Sequence, residues 1–389
     1  MDLNKEIMQI YDEIVEIRRY FHMYPELGLE EVNTSSKIKE ILRILKIPYK
    51  EVAGTGIVGY IGKSKRKIIA LRADMDAIRV NEKNDKPYTS KNNGIMHACG
   101  HDGHMAALIG ACKILKKIED KIDGQILVIF QPSEENCKGA KMVLESGLLD
   151  DVEEIFGVHI FGDIDCGKIS IEVGPRMAAS DIFKIHIKGK SGHAAKPHQC
   201  IDAGLIAAST VLNLQSIVSR ELDPLETAVV TIGHIQAGSQ HNIIPGEALV
   251  EGTVRSFSYN TSKFIEESII RIAKDTAMSY GGDANIEYNS FAHPVVDNDE
   301  DIVNTAIDGV KKYMKVGKLA KLPKMLLGED FSVYQEKIKG AFAFVGGKND
   351  ELGIIYPNHN ERFDIDEKSL IIAMEAHLSY VIETLGINI

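Results

Sequence analysis

The sequence predicts an α/β protein carrying an inserted α+β unit, and three observations support that reading. Continuous apolar strands such as IIALRAD, QILVIFQ and EIFGVHI alternate with helical periods, the pattern of a mostly parallel sheet covered on both faces. After about Ala179 the strands change to strict polar and apolar alternation, in the order βαββαβ of a split-βαβ unit. From about Asp297 the first rhythm resumes. A chain of 389 residues also exceeds the roughly 100–200 residues usual for one domain. The expected division is 1–179 and 293–389 for one domain, with 180–292 inserted.

Helical periodicity runs from about Lys5 to Arg19 and from about Thr34 to Leu45, the second ending before Pro48. GTGIVGYIG and KIIALRADMDA read as two strands forming a hairpin, and the residues after His101 as a helix to about Lys117. GQILVIFQ is a buried strand stopped by Pro132, followed by a short helix from Gly139 and the strand EIFGVHI. In the insert, SDIFKIHIKGK, TAVVTIGHI, EALVEGTVRSF and ANIEYNSF are strands, with helices over 201–222 and 262–280. DIVNTAIDGVKKYM, AFAFVGG and a helix from about Glu367 to Leu385 complete the chain.

With 45 basic against 56 acidic residues, and no basic cluster larger than the Lys63, Lys65, Arg66, Lys67 turn, nucleic acid and anionic membranes are not expected partners. Acidic residues interrupt MDLNKEIMQIYDEIVEIRR where a secretion signal needs an apolar run. The longest uncharged stretch, 203–219, is broken by polar residues, so no membrane span is expected. Five cysteines at 99, 112, 137, 166 and 200 fit a reducing cytoplasm, with Cys112 and Cys166 read as small buried residues.

GTGIVG matches the G-x-G-x-x-G dinucleotide pattern, but its glycines lead into a strand and offer no helix to receive a pyrophosphate. Chemistry is concentrated elsewhere. IMHACGHDGHMAAL sets His97, Cys99, His101 and His104 immediately before a helix, and QPSEEN sets Glu134 and Glu135 just beyond a buried strand. His159 closes another apolar strand, and His359 lies in the polar loop YPNHNERFDID. Each feature alone is also what a structural histidine or a solvated acidic turn looks like. Together they put thiolate, imidazole and carboxylate at one inferred sheet edge, enough to hold two borderline-soft divalent ions. Cys99 then supplies an anionic ligand, Glu135 another, and Glu134 a free base; adjacent carboxylates share a site only where the backbone is irregular after Pro132.

ALRADMDAI, IMHACGHDGHMAALIGA, FQPSEEN, GVHI, KGKSGHAAKPH, HNIIPGEA, GTVRSF, LLGEDFSVY and YPNHNERFDID, in this order, resemble the M20 metallopeptidase family, subfamily D. That group holds N-acyl-amino-acid amidohydrolases, hippurate hydrolases, auxin-conjugate hydrolases and N-acetyldiaminopimelate deacetylases. The resemblance implies a zinc-peptidase-like catalytic domain with two divalent ions (Mn, Zn, Co or Ni) and an inserted lid that mediates homodimers. It implies Cys99, His101, Glu135, His159 and His359 as ligands, Glu134 as general base and Asp76 as the acid orienting a ligand. Asp74 falls where many relatives have a metal-binding histidine, and neither it nor His104 receives a role.

In the lid, the resemblance gives His193 to the oxyanion, across a dimer, and gives Asn242 and Arg255 to the substrate's polar groups or carboxylate. Gly189 and Gly192 flank the first lid strand as hinges for closure. NCKGA departs from the glycine-rich run of relatives, placing Asn136 and Cys137 beside the site. The expected activity is hydrolysis of the amide bond of a small N-acyl amino acid. The competing readings are a dipeptidase or aminopeptidase on the same metals, a Cys99 thiol hydrolase, and a metal-dependent binding protein without catalysis.

Overall fold

The buried runs of the sequence build an eight-stranded sheet in a computed structural model that describes residues 1–292 and 297–389. Strands β1 (Tyr49–Val52), β2 (Gly56–Ile61), β3 (Ile68–Asp74), β4 (Gln125–Gln131) and β5 (Glu154–Asp165) lie in the order β1-β2-β4-β3-β5, continued by Lys339–Lys348, Lys168–Ser170 and Lys318–Leu319. The central four, β4, β3, β5 and Lys339–Lys348, are parallel. The expected hairpin of β2 with β3 does not form: β4 lies between them, antiparallel to β2 and parallel to β3. Every residue of β3 is buried, which suits a central strand paired on both sides, and the basic turn merely bridges to it. The short β1, absent from the sequence reading, makes the hairpin with β2 instead.

Three helices, α1 (Leu3–Met23), α3 (His101–Lys117) and Ser369–Thr384, pack on one another, with α2 (Val32–Ile44) against β2. Ile7, Ile14 and Phe21 of α1 meet Leu108 and Ile109 of α3 and Leu370 and Met374 of the last helix in one core. Burial on almost every side of α3 explains its near-continuous Ala, Leu and Ile content. This unit comprises Met1–Gly174, Val296–Pro323 and Asp330–Ile389.

The second unit comprises Pro175–Val295 with Lys324–Glu329. Its antiparallel sheet runs Ala228–Ala237, Glu247–Ser256, Ala179–Lys188, Asp283–Ala292. Helices Ala203–Ser216 and Tyr259–Ser279 pack on this sheet, with Ile265 and Ile269 of the second in one core with Phe183, Ile185 and Val250. The segment 324–329 joins it through backbone bonds, Met325 to Arg176 and Ala178 to Leu327. The boundary expected at residue 293 lies outside the described residues. No described helix is long and apolar enough to cross a membrane.

In the first unit a buried charge network ties the start of α3 to α1 and the carboxyl-terminal loops. Asp102 accepts from Arg18 Nε at 2.7 Å and His22 Nδ1 at 2.8 Å, while Arg18 also reaches Asp364 at 2.8 Å. His22 Nε2 donates to Glu82 at 3.1 Å, and Tyr88 donates to Asp364. Burial opposes a charge on His22, but Asp102 and Glu82 outweigh it and raise the pKa to about 9.

Two predictions follow from removing one partner of such a network, which leaves the others buried and uncompensated. Arg18→Met should cost about 3–5 kcal/mol in urea unfolding of the metal-free protein, and a loss under about 1 kcal/mol would contradict the network's role. His22, with its folded pKa raised above the unfolded value of about 6.5, contributes stability fully present below that value and lost as pH rises through about 9. Unfolding midpoints between pH 6 and 10 should therefore fall more steeply in the wild type than in His22→Gln, and equal slopes would remove the assignment.

Candidate metal centre

Parallel pairing brings the carboxyl ends of β3 and β4 to one edge, where α/β sheets place their ligands. Asp76, in the loop after β3, ties three segments there. Its Oδ1 accepts the Glu134 amide proton at 3.0 Å, and its Oδ2 that of Glu135 at 3.1 Å. Its carbonyl oxygen accepts from His101 Nδ1 at 2.9 Å.

Pro132 follows the last residue of β4, and Ser133 then turns with a left-handed φ of 52°. Glu31 secures this turn by accepting the Ser133 amide proton at 2.9 Å, and Asn136 braces it through the Ser133 hydroxyl at 3.3 Å. The chain returns so tightly that a Cβ on Gly139 would lie 1.6 Å from the Pro132 carbonyl oxygen, so glycine is required. In this irregular backbone Glu134 and Glu135 both offer an oxygen close to His101. That is the condition the sequence set for two adjacent carboxylates to serve one site.

His159 does not end its strand, as the sequence reading had it, because β5 runs on to Asp165. Pairing with β3 stops at Gly157, however, so β5 passes His159 with that edge released from the backbone ladder. His359 sits at a left-handed φ of 68° in the loop after Lys339–Lys348, its amide donating to the Ala98 carbonyl at 2.7 Å.

Two of the candidate ligand groups contain Cys99. Atoms of Cys99, His101 and His159 lie within 4.8 Å of one another, and so do atoms of Cys99, Glu135 and His359. Cys99 belongs to both. Its Sγ is 3.6 Å from His159 Nε2, and His359 Nε2 is 3.2 Å from Glu135 Oε1. Cys99 and Glu135 together raise the His359 pKa to about 10; burial works against the Glu135 charge, but His359 holds it below its ordinary value.

The donor set fits a pair of divalent ions. His101 commits Nδ1–H to Asp76, and among the described residues its buried Nε2 has no hydrogen-bond partner. A ligating imidazole is oriented in this way, its second nitrogen bonded to a carbonyl or carboxylate. Glu134, 7% exposed, lies beside this nitrogen with Oε2 4.0 Å away, while Oε1 accepts a long bond from the Asp330 amide at 3.4 Å.

Asp74 and His104 lie close to His101 but are bonded to each other at 2.6 Å, and Arg72 holds the other Asp74 oxygen at 2.6 Å. Burial works against the Asp74 charge, yet His101 and Arg72 hold its carboxyl well below the usual range. His97 is fully buried, which pushes its pKa down to about 3 despite Asp102, and it joins neither ligand group.

In the second unit, His193 lies opposite Ile243 in a two-stranded ribbon, and the Ala194 amide donates to the Asn242 carbonyl. Both side chains are exposed. Arg255, on strand Glu247–Ser256, is half-buried and donates to the Val254 carbonyl at 2.9 Å.

Two residues that brace the candidate site were not singled out from the sequence. Asn358 donates to the Cys99 carbonyl at 3.0 Å and accepts the Gly162 amide proton at 2.8 Å. Asp330 accepts from Arg72, Gln131 and the Ala140 amide. The available signals were an arginine inside an otherwise apolar strand and an asparagine directly before a candidate ligand histidine.

Comparison with known proteins gives the chain its relatives. It is 40% identical to the N-acetyl-L-cysteine deacetylase of Bacillus subtilis, over 93% of this chain and 85% of that protein. It is 37% identical to thermostable carboxypeptidase 1 of Saccharolobus solfataricus, over 96% of each chain. A crystal structure from Bacillus subtilis, described as a dinuclear metal binding peptidase from the M20 family, superposes with a TM-score of 0.86 at 34% identity, covering 98% of this chain and 100% of that one. Residues 70–383 match the peptidase family M20/M25/M40, and the chain belongs to that family.

Proposed function

We propose that this chain hydrolyses the amide bond of N-acyl amino acids, using two divalent ions and Glu134 as general base. The observation that carries the reading is the pair of three-residue ligand groups sharing Cys99, with Glu134 beside them and in neither. Cys99, His101 and His159 would hold one ion and Cys99, Glu135 and His359 the other, the ions being Mn, Zn, Co or Ni. When bound, such a pair supplies Lewis acidity to a water and to the amide carbonyl. The deacetylase and carboxypeptidase relatives support the same bond type, since an N-acyl amino acid and the last peptide bond of a chain both join an acyl group to an amino acid with a free carboxylate.

Glu134 takes the proton of the attacking water and delivers it to the leaving nitrogen. Its backbone is fixed by Asp76, so the carboxylate is aimed without giving up an oxygen to that clasp. His193 is proposed to donate to the developing oxyanion: its Nδ1 accepts the Ala195 amide proton at 3.1 Å, which leaves Nε2–H to donate. Asn242 and Arg255 are proposed to hold the substrate's polar groups and carboxylate, for which a guanidinium fork is suited. Asn136 and Cys137, next in sequence to Glu135, are proposed to adjust the packing beside the site and with it substrate selection.

The inserted unit is proposed to pair with a second copy. Ala228–Ala237 is an edge strand of its sheet, and Leu212, Leu225 and Ile235 stand 73%, 93% and 52% exposed, an arrangement that strand pairing between copies would cover. All five cysteines are free, which supports a reducing, cytoplasmic setting in which Cys99 stays available as a ligand.

Protein stripped with a chelator and reloaded with manganese or cobalt should release amino acid from N-acetyl and N-benzoyl amino acids. Turnover confined to free dipeptides would move the assignment to a dipeptidase. Glu134→Gln should lower kcat by about 10²–10⁴-fold while metal content stays at two ions per chain, and near-normal kcat would end its role as base. Light scattering should give twice the chain mass for the wild type and the single mass for the Leu212→Lys, Leu225→Lys double variant. A wild-type monomer would refute the pairing.

A further inference from the structure

The family resemblance leaves Asp74 and His104 without a role, and their proximity to His101 admits two: a third metal position, or a support for the ligands. The hydrogen bonds separate these. His104 is 2% exposed and both its ring nitrogens are engaged, Nδ1 with Asp74 Oδ1 at 2.6 Å and Nε2 accepting the Ile160 amide proton at 2.8 Å. Asp74, fully buried, has its other oxygen on Arg72 at 2.6 Å. No lone pair is left on His104 for an ion.

The bond to Ile160 has a cause in the sheet. The β3 ladder with β5 pairs Arg72 with Gly157 and goes no further, and β3 itself ends at Asp74. The Ile160 amide, in a residue that is fully buried, would be an orphan donor there. His104 takes the place of the missing strand, and Asp74, the last residue of β3, anchors His104 through the ring. The rings of His104 and His159 are 4.6 Å apart, so the same bracket sets both the backbone after His159 and the packing of its imidazole.

We infer that Asp74 and His104 are positioning residues that fix His159, and so govern affinity at the ion position formed by Cys99, His101 and His159 without governing the one formed by Cys99, Glu135 and His359. This rests on the two-ion reading proposed above. The two positions share Cys99, but the contacts that hold Glu135 and His359, the Asp76 carboxylate and the Ala98 carbonyl, involve neither Asp74 nor His104.

The test uses the full chain with zinc and cobalt as probes. Stepwise binding of zinc in competition with a chromophoric chelator should show two sites in the wild type. In His104→Phe one dissociation constant should rise by about 10–100-fold, the usual effect of losing a group that orients a ligand, while the other changes by less than about 3-fold. The cobalt–thiolate absorption should persist, because Cys99 keeps its second partner set. Equal weakening of both sites, or no weakening, overturns the bracket.

A His104→Phe chain that fails to fold does not remove the test, because histidine ring nitrogen spectra of the wild type read the same point. On zinc loading, the signals of His101 and His159 should move to metal-bound positions while His104 keeps a protonated Nδ1 and an accepting Nε2. Movement of His104 to a metal-bound position, or a third zinc per chain, makes it a ligand and refutes the inference. If the wild type binds no zinc, the two-ion reading falls and takes the inference with it; if the wild type binds two and only the selectivity fails, the bracket falls alone.

Discussion

Asp76 holds the amides of Glu134 and Glu135 with its two carboxylate oxygens and the ring of His101 with its carbonyl, so one residue after β3 fixes groups from two other segments. The constraint behind this is that consecutive side chains of an extended strand point to opposite faces. Bringing both glutamates to one site requires the backbone to leave the strand, and it does so through a left-handed Ser133. A left-handed turn costs a non-glycine residue about 1–2 kcal/mol, whereas a hydrogen bond to a charged group contributes about 1.5–3 kcal/mol. Two such bonds to Asp76 and one to Glu31 are enough to hold the turn, and Gly139 lets the chain return beneath it.

The same logic extends along α3. Its first residue is His101, and the next, Asp102, enters the Arg18 and His22 network that ties it to α1. One turn further on, His104 reaches across to Asp74 and to β5. The amino terminus of α3 is therefore held from two sides by buried polar contacts, while its remaining length is packed by apolar neighbours. The polar contacts fix position at the site while the apolar ones pack the rest of the helix, which is why Cys99 and His101 can stand at the start of a helix of largely apolar character.

Much of this was legible in the sequence. The apolar runs of β3, β4 and β5, the βαββαβ order of the insert, and the two glutamates just beyond β4 all follow from period and residue type. What was not legible depends on which segments become neighbours. The place of β4 between β2 and β3 is set by burial on both sides of β3, and local pattern cannot distinguish a central strand from one half of a hairpin. His159 appeared to close its strand because the apolar run weakens after it, yet the strand continues and it is the partner that stops. Asn358, Asp330 and His104 act through backbone groups remote in sequence, Cys99 and Gly162, Ala140, and Ile160 respectively, and a hydrogen bond to a distant amide leaves no periodic trace.

Charge gives a reason for a cysteine among the ligands proposed above. Asp74, Asp76, Glu134 and Glu135 surround the site in the first unit; Arg72 bonds Asp74 but is already shared with Asp330, and His359 bonds Glu135. An uncompensated excess of buried negative charge is costly, and divalent cations are the simplest means of offsetting it. A carboxylate at position 99 would serve a hard ion such as magnesium or calcium as well as any other. A thiolate instead favours borderline and soft ions, and shared between two ligand groups it contributes one negative charge to both. As a ligand of the kind proposed above, Cys99 would combine selection of the ion with economy of charge, under one condition imposed by its chemistry: it must stay reduced, and none of the five cysteines is paired in a disulfide.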